Sequence, residues 1–104
     1  MKIKESDGTI INVFAIYWFG DETYFYGLPK NYGGLLAYRA SQVSIIDPEI
    51  SFSAIYFENN AKSIQHWALM KEKLLDDILE RDDVAYNRFL HIIKSEGLVE
   101  SDFY

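Results

Sequence analysis

Cysteine is absent from the 104 residues, proline occurs twice, and Lys plus Arg number only ten. Without cysteine there is no disulfide framework, no thiolate zinc site and no thiol nucleophile, so several enzyme classes fall away. A chain of this length buries roughly 65% of the surface its unfolded form exposes, enough to fold as one domain without such staples. Long apolar runs are missing too. The longest, from Val13 to Phe19, has seven residues, where a membrane-spanning helix needs about 20. The opening Met1-Lys2-Ile3-Lys4-Glu5 meets an acidic, glycine-bearing turn before any apolar run begins, unlike a secretory signal peptide. The expectation is a single cytoplasmic domain over residues 1–104.

Sixteen Asp plus Glu give a net charge of -6. That field repels phosphate backbones and anionic lipid, which argues against direct nucleic-acid or membrane binding, and it speeds association with a basic protein. Aromatics are abundant, with 8 Tyr, 7 Phe and 2 Trp. A core of this size does not readily hide them all, and Tyr and Trp are the side chains that anchor protein interfaces.

The residue pattern changes near position 59. Up to there, β-branched and aromatic residues are punctuated by turn residues at Gly8, Gly20-Asp21, residues 27–34 and Asp47-Pro48, which predicts about five strands within residues 10–58. The run from Ile10 to Phe19 is apolar on both faces, as in a central strand. Gly20-Asp21 suits a hairpin turn. Period-two alternation then sets Glu22, Tyr24 and Tyr26 on one face and Thr23 and Phe25 on the other. The segment from Gly27 to Gly34 reads as a surface loop with Tyr32 near its tip. Past Asn59-Asn60, a stripe of Ile64, Trp67, Ala68, Leu74, Leu75, Ile78 and Leu79 predicts an amphipathic helix over about 60–80 with an Asn cap. Asp82 or Asp83 starts a second helix over about 83–96, with Tyr86, Phe89, Leu90 and Ile93 buried and Gly97 as its left-handed stop. The tail after it is expected to fray, although Phe103 and Tyr104 have the apolar surface to dock.

The expected fold is α+β: an antiparallel sheet of about five strands covered on one face by two C-terminal helices. The other face then stays open, aromatic and acidic, unless the sheet curls and buries both faces.

Candidate chemistry is sparse. Asp76-Asp77, Glu80 and Asp82-Asp83 form a carboxylate run, but Lys73 and Arg81 lie beside it and nothing apolar surrounds it. A solvated helix face is favoured over a metal or acid–base site. His66 and His91 are too far apart in sequence to ligate one ion locally, and each is expected at the edge of a buried stripe. No Gly-x-Ser-x-Gly elbow and no phosphate loop occur. The reading is a non-enzyme without cofactor or metal.

The run Phe25-Tyr26-Gly27-Leu28-Pro29-Lys30-Asn31-Tyr32-Gly33-Gly34-Leu35, continuing through Tyr38-Arg39 to Val43-Ser44-Ile45-Ile46-Asp47-Pro48, resembles small bacterial immunity proteins of polymorphic toxins and of contact-dependent growth inhibition. In these a Tyr-Gly-Gly-Leu-like loop feeds a strand and a second strand ends in Val-x-x-x-Asp-Pro. With Trp67 and the acidic run 75–83, the resemblance covers about residues 10–95. It implies a protein that binds a cognate toxin domain, a nuclease and by preference a ribonuclease, and occludes its basic active site. The anchors expected are Tyr24, Tyr26 and Tyr32, with Asp21, Glu22, Asp47, Glu49 and Glu58 as complementary charges. The acidic helix run 76–83 is the alternative surface. Two other readings stand beside this one, a homodimeric adaptor that pairs through its aromatic sheet face and a small-ligand-binding domain with an aromatic pocket.

Overall fold

The computed structural model describes all of residues 1–104. Seven strands precede three helices: β1 Lys2–Lys4, β2 Ile10–Phe19, β3 Glu22–Leu28, β4 Leu36–Arg39, β5 Ser44–Asp47, β6 Ala54–Asn59, β7 Ala61–His66, α1 Trp67–Lys71, α2 Leu75–Leu79 and α3 Asp83–Ser95. The fold is α+β, as the patterning indicates, with every strand pair antiparallel.

The sheet forks at β2. Its order is β4-β3-β2-β1-β5, and β7 also pairs with β2 and carries β6 beyond it. β3 runs along one side of β2. The other side is shared, β1 taking Ile10 to Asn12 and β7 taking Ala15 to Trp18. One long central strand therefore serves both arms.

The main path also curls. β4 and β5 lie at its opposite ends, about 19 Å apart in a flat sheet. Residues 40–43 join them, and three of these form a 3-10 turn, Ala40–Gln42, rising only about 2 Å each. Such a link closes only if the sheet bends. Bending buries Ile3, Ile11, Val13 and Phe25, with Ile16, Tyr38, Ala40 and Val43 packed against them, as a second small core on the face away from the helices. The expectation of an open second face is corrected by this curl. Gly27 permits it, since a Cβ there would lie 2.4 Å from Ile11 Cγ2 and 2.9 Å from the Asn12 carbonyl.

A β-bulge at Phe14 divides β2. Val13 pairs with Gly27 and Ala15 with Tyr26, so Phe14 is the extra residue and the alternation shifts by one. Before the bulge, Ile11 and Val13 point into the small core. After it, Ala15 and Tyr17 point to the helical side and Ile16 to the small core.

The large core lies between the sheet and the helices: Phe14, Leu28, Leu35, Leu69, Ile78, Tyr86, Phe89 and Ile93 are its most fully buried large side chains. Phe89 meets Phe14 edge-on at 5.4 Å. The α3 boundaries follow the residue signals. Asp82 Oδ2 accepts the Ala85 N–H at 2.9 Å, and Gly97 at φ 73 completes a Schellman stop, with Leu98 N–H donating to the Ile93 carbonyl at 2.9 Å. The tail docks. Tyr104 packs edge-on against the buried Tyr86 at 5.3 Å, and its carbonyl accepts the Asn31 N–H.

The helix expected over 60–80 is corrected at its start and in its middle. Ala61–His66 is a strand, because Asn60 at φ 65 makes the tight turn of the β6–β7 hairpin instead of capping a helix. Helix begins at Trp67, where the His66 ring Nδ1 accepts the Ala68 N–H at 3.0 Å. It then breaks at Lys73, held at φ 54, so that α1 and α2 are separate single turns.

Candidate functional site

Beyond the edge of the helices, the hairpin of β2 and β3 presents four aromatic rings on its helical side. The register pairs Phe19 with Glu22, Tyr17 with Tyr24 and Ala15 with Tyr26. Their rings form a ladder. Tyr17 stacks on Tyr26 at 4.7 Å and on Phe19 at 5.7 Å, and Phe19 meets Tyr24 edge-on at 5.6 Å. Phe19 is 44% exposed, while Tyr17, Tyr24 and Tyr26 are half-buried. Burial pushes the Tyr17 and Tyr26 hydroxyls up from their ordinary pKa, so both stay neutral hydrogen-bonding groups.

Carboxylates rim the ladder. Glu22 accepts the Tyr24 hydroxyl at 2.7 Å and faces the Arg39 guanidinium at 3.9 Å, which itself lies 5.9 Å from the Tyr24 ring centre. Asp21 stands exposed at the hairpin tip, where Gly20 at φ 58 makes the two-residue turn. A cleft of about 300 Å³ here is lined by Asp21, Glu22, Thr23, Arg39 and Ser41. On the other flank, Tyr17 is shared with an open groove of about 490 Å³, walled by Phe57, Leu69, Leu75 and Asp76 with Gln65 in its lining. The Gln65 amide donates to the Tyr17 hydroxyl at 2.7 Å and to Ser63 Oγ at 3.2 Å, which fixes the Tyr17 ring from behind. The Gln65 carbonyl oxygen is buried without a partner.

The eight residues expected from the sequence separate into groups. Asp21, Glu22, Tyr24 and Tyr26 come together on this hairpin. Tyr32 does not join them. Its ring lies 4.5 Å from the Arg81 guanidinium and its carbonyl accepts from Arg81 Nε at 3.1 Å, so its loop is pinned to the link between α2 and α3. Asp47 closes β5 opposite Lys2 and accepts the Glu49 N–H at 3.0 Å, beside the chain's amino terminus. Glu58 lies on β6 opposite Lys62, with Tyr56 donating to it at 3.4 Å, on the sheet face away from Phe57. Tyr17 and Phe19 are not among the expected anchors, and Asp76 is expected only as part of the alternative acidic surface. The Gly20-Asp21 turn sets Phe19 opposite Glu22 and Tyr17 opposite Tyr24, which puts both rings on this face; the bulge at Phe14 only re-aims the other end of β2.

The acidic run 76–83 serves the helices. Asp76 and Asp77 lie in the first turn of α2, Asp82 caps α3 and Asp83 opens it. The expected edge position of His66 is corrected. It is fully buried among Phe14, Phe52, Trp67 and Phe89, because it closes β7 beneath the helices. With Nδ1 accepting the Ala68 N–H, Nε2 carries the proton and donates to Glu96 Oε1 at 2.6 Å. The other Glu96 oxygen accepts the Trp67 indole N–H at 2.7 Å. Burial holds the His66 pKa below its ordinary value. His91 is exposed on α3. No three His, Asp or Glu side chains stand close enough together to hold a metal ion, and no helix is long and apolar enough to cross a membrane.

Comparison with protein-family models, with curated proteins and with solved structures returned no match.

Proposed function

We propose that this chain is a small bacterial immunity protein that binds and neutralises a cognate toxin domain, a nuclease and by preference a ribonuclease. The observation that carries the reading is the aromatic ladder with its carboxylate rim. Phe19 and Tyr24 offer rigid apolar area at low entropy cost, and Tyr17 and Tyr26 support them from below. Asp21, Glu22 and Asp76 supply negative charge around that area. A nuclease must attract phosphate and so carries a basic cleft, which this surface complements in sign and which the net charge of -6 helps to steer. Occlusion of the cleft is sufficient for inhibition and asks no chemistry of the chain.

Co-expression with the toxin region encoded by an adjacent open reading frame tests the proposal. Expected are restored growth and a stoichiometric complex on purification. Phe19→Ala and Tyr24→Ala each weaken that complex at least about tenfold. Glu22→Lys slows association and reduces its dependence on salt. Continued toxicity with no complex, both proteins being folded, would remove that toxin as the partner. An unchanged affinity for both aromatic variants would remove the ladder as the binding face.

A further inference from the structure

β6 is the outermost strand of the forked arm, and β7 is its one neighbour. Natural sheets guard such edges with Lys, Pro, a bulge or a covering segment, because a row of unpaired amides templates another chain. β6 has none of these, and its one charge is Glu58 near its end. Its residues are Ala-Ile-Tyr-Phe-Glu-Asn, its ladder with β7 runs without a register shift, and all but Ile55 are exposed. Tyr56 is 58% exposed and Phe57 38%.

The direction of the free main-chain groups follows from two bonds. The Ser53 carbonyl accepts the Trp67 N–H at 3.0 Å, and the Phe57 carbonyl accepts Ser63 Oγ at 3.2 Å, so both face β7. Alternation along a strand then turns the N–H and C=O of Ala54, Tyr56 and Glu58 outward.

We infer that β6 pairs antiparallel with β6 of a second copy of this chain, about a two-fold axis at Tyr56. In that register Tyr56 lies opposite its own copy and Ala54 lies opposite Glu58, so every outward amide and carbonyl of the three residues gains a partner. The interface is isologous, as a two-fold contact requires. Side chains agree with it. Tyr56 packs beside Tyr56 on one face, and Ile55 lies beside Phe57 on the other, both favourable cross-strand combinations. The two Glu58 carboxylates end about 14 Å apart, from four residues of strand rise, which exceeds a screening length of about 8 Å. A parallel pairing in register would set Glu58 against Glu58. Two acidic chains thus meet along an edge that keeps its one charged residue off its own copy. The ladder on the β2–β3 hairpin stays open, so the inference does not depend on the immunity reading.

Sedimentation equilibrium of the full chain tests it directly, with a mass of twice 12.1 kDa expected at high micromolar concentration. Because the chain has no cysteine, single-thiol variants report the register. Opposed residues in a hydrogen-bonded pair have Cα atoms about 5.5 Å apart, inside the disulfide range. Tyr56→Cys is expected to cross-link to a dimer on mild oxidation, and Glu58→Cys alone to remain uncross-linked. A mixture of Ala54→Cys and Glu58→Cys is expected to form the mixed dimer. Tyr56→Lys, which sets two ammonium groups face to face, weakens the dimer at least about tenfold while the circular dichroism spectrum is unchanged. A single-chain mass at every concentration, or cross-linking through Glu58→Cys as efficient as through Tyr56→Cys, would overturn the inference. So would a folded Tyr56→Lys variant that dimerises like the parent.

Discussion

Replacing Glu96 by alanine separates two donors from their acceptor at once. The Glu96 carboxylate receives the His66 Nε2–H at 2.6 Å and the Trp67 indole N–H at 2.7 Å, tying the start of α1 to the end of α3. His66 is fully buried, so its N–H finds no water after the change. An orphaned buried donor costs about 1–3 kcal/mol, and a hydrogen bond to a charged group contributes about 1.5–3 kcal/mol. Trp67 is partly exposed and regains water, so its share is at the low end. Together the loss is about 3 kcal/mol. For a domain near 100 residues each kcal/mol moves the melting temperature by about 4–8 °C, which puts the expected drop at about 15 °C. Glu96→Gln keeps the shape and one acceptor oxygen, turns an N–H toward the other donor, and is expected to lose about half as much. Urea unfolding followed by tryptophan fluorescence measures both. An alanine variant within about 0.5 kcal/mol of the parent, at unchanged denaturant slope, would refute the network's part in stability.

The same imidazole makes stability depend on pH. Burial lowers the folded-state pKa of His66, so the unfolded chain takes up the proton first; its contribution is present above about pH 6.5 and is lost as pH falls through that value toward the folded pKa. Unfolding in urea from pH 8 to pH 5 should show that decline, and the His66→Gln variant should flatten it. Gly34→Ala puts a Cβ 2.5 Å from the Ile78 carbonyl oxygen and should destabilise by about 1–3 kcal/mol in a thermal melt, the cost of overpacking a closed contact. Gly27→Ala, with its Cβ 2.4 Å from Ile11 Cγ2, should cost as much or more and should speed amide exchange in β1 and β5 if it opens the curl. Phe89→Ala removes the ring that meets both Phe14 and His66 and should cost about 3–5 kcal/mol in the same assay.

Where the residues carry their own punctuation, the structure follows them. β3 keeps the alternation of Glu22, Tyr24 and Tyr26, and α3 starts at the Asp82 cap and stops at Gly97. Where burial falls on small or polar side chains, the pattern is silent. β7 hides Ala61, Ser63 and Gln65 on one face, and a hydrophobic period has almost nothing to count there. The break between α1 and α2 is made by Lys73 in a left-handed conformation, with no glycine or proline to announce it. The candidate site divides the same way. Asp21, Glu22, Tyr24 and Tyr26 are neighbours in one hairpin, so local alternation is enough to group them. Tyr17 and Phe19 join them across the hairpin, through the register that the Gly20-Asp21 turn sets rather than through alternation along one strand, and Asp47, Glu49 and Glu58 are carried elsewhere by a strand order that no local pattern encodes.

The fork at β2 has a consequence for how the chain is made. One side of β2, from Ala15 to Trp18, is completed by β7, and roughly 45 residues separate the paired positions; at about 5–20 residues per second the ribosome takes several seconds to deliver the second strand. During synthesis the nascent chain can close the β2–β3 hairpin at once but must hold an aromatic edge open until His66 has emerged. Nascent chains stalled before residue 61 should therefore engage chaperones and yield to protease, and the released full-length chain should resist both.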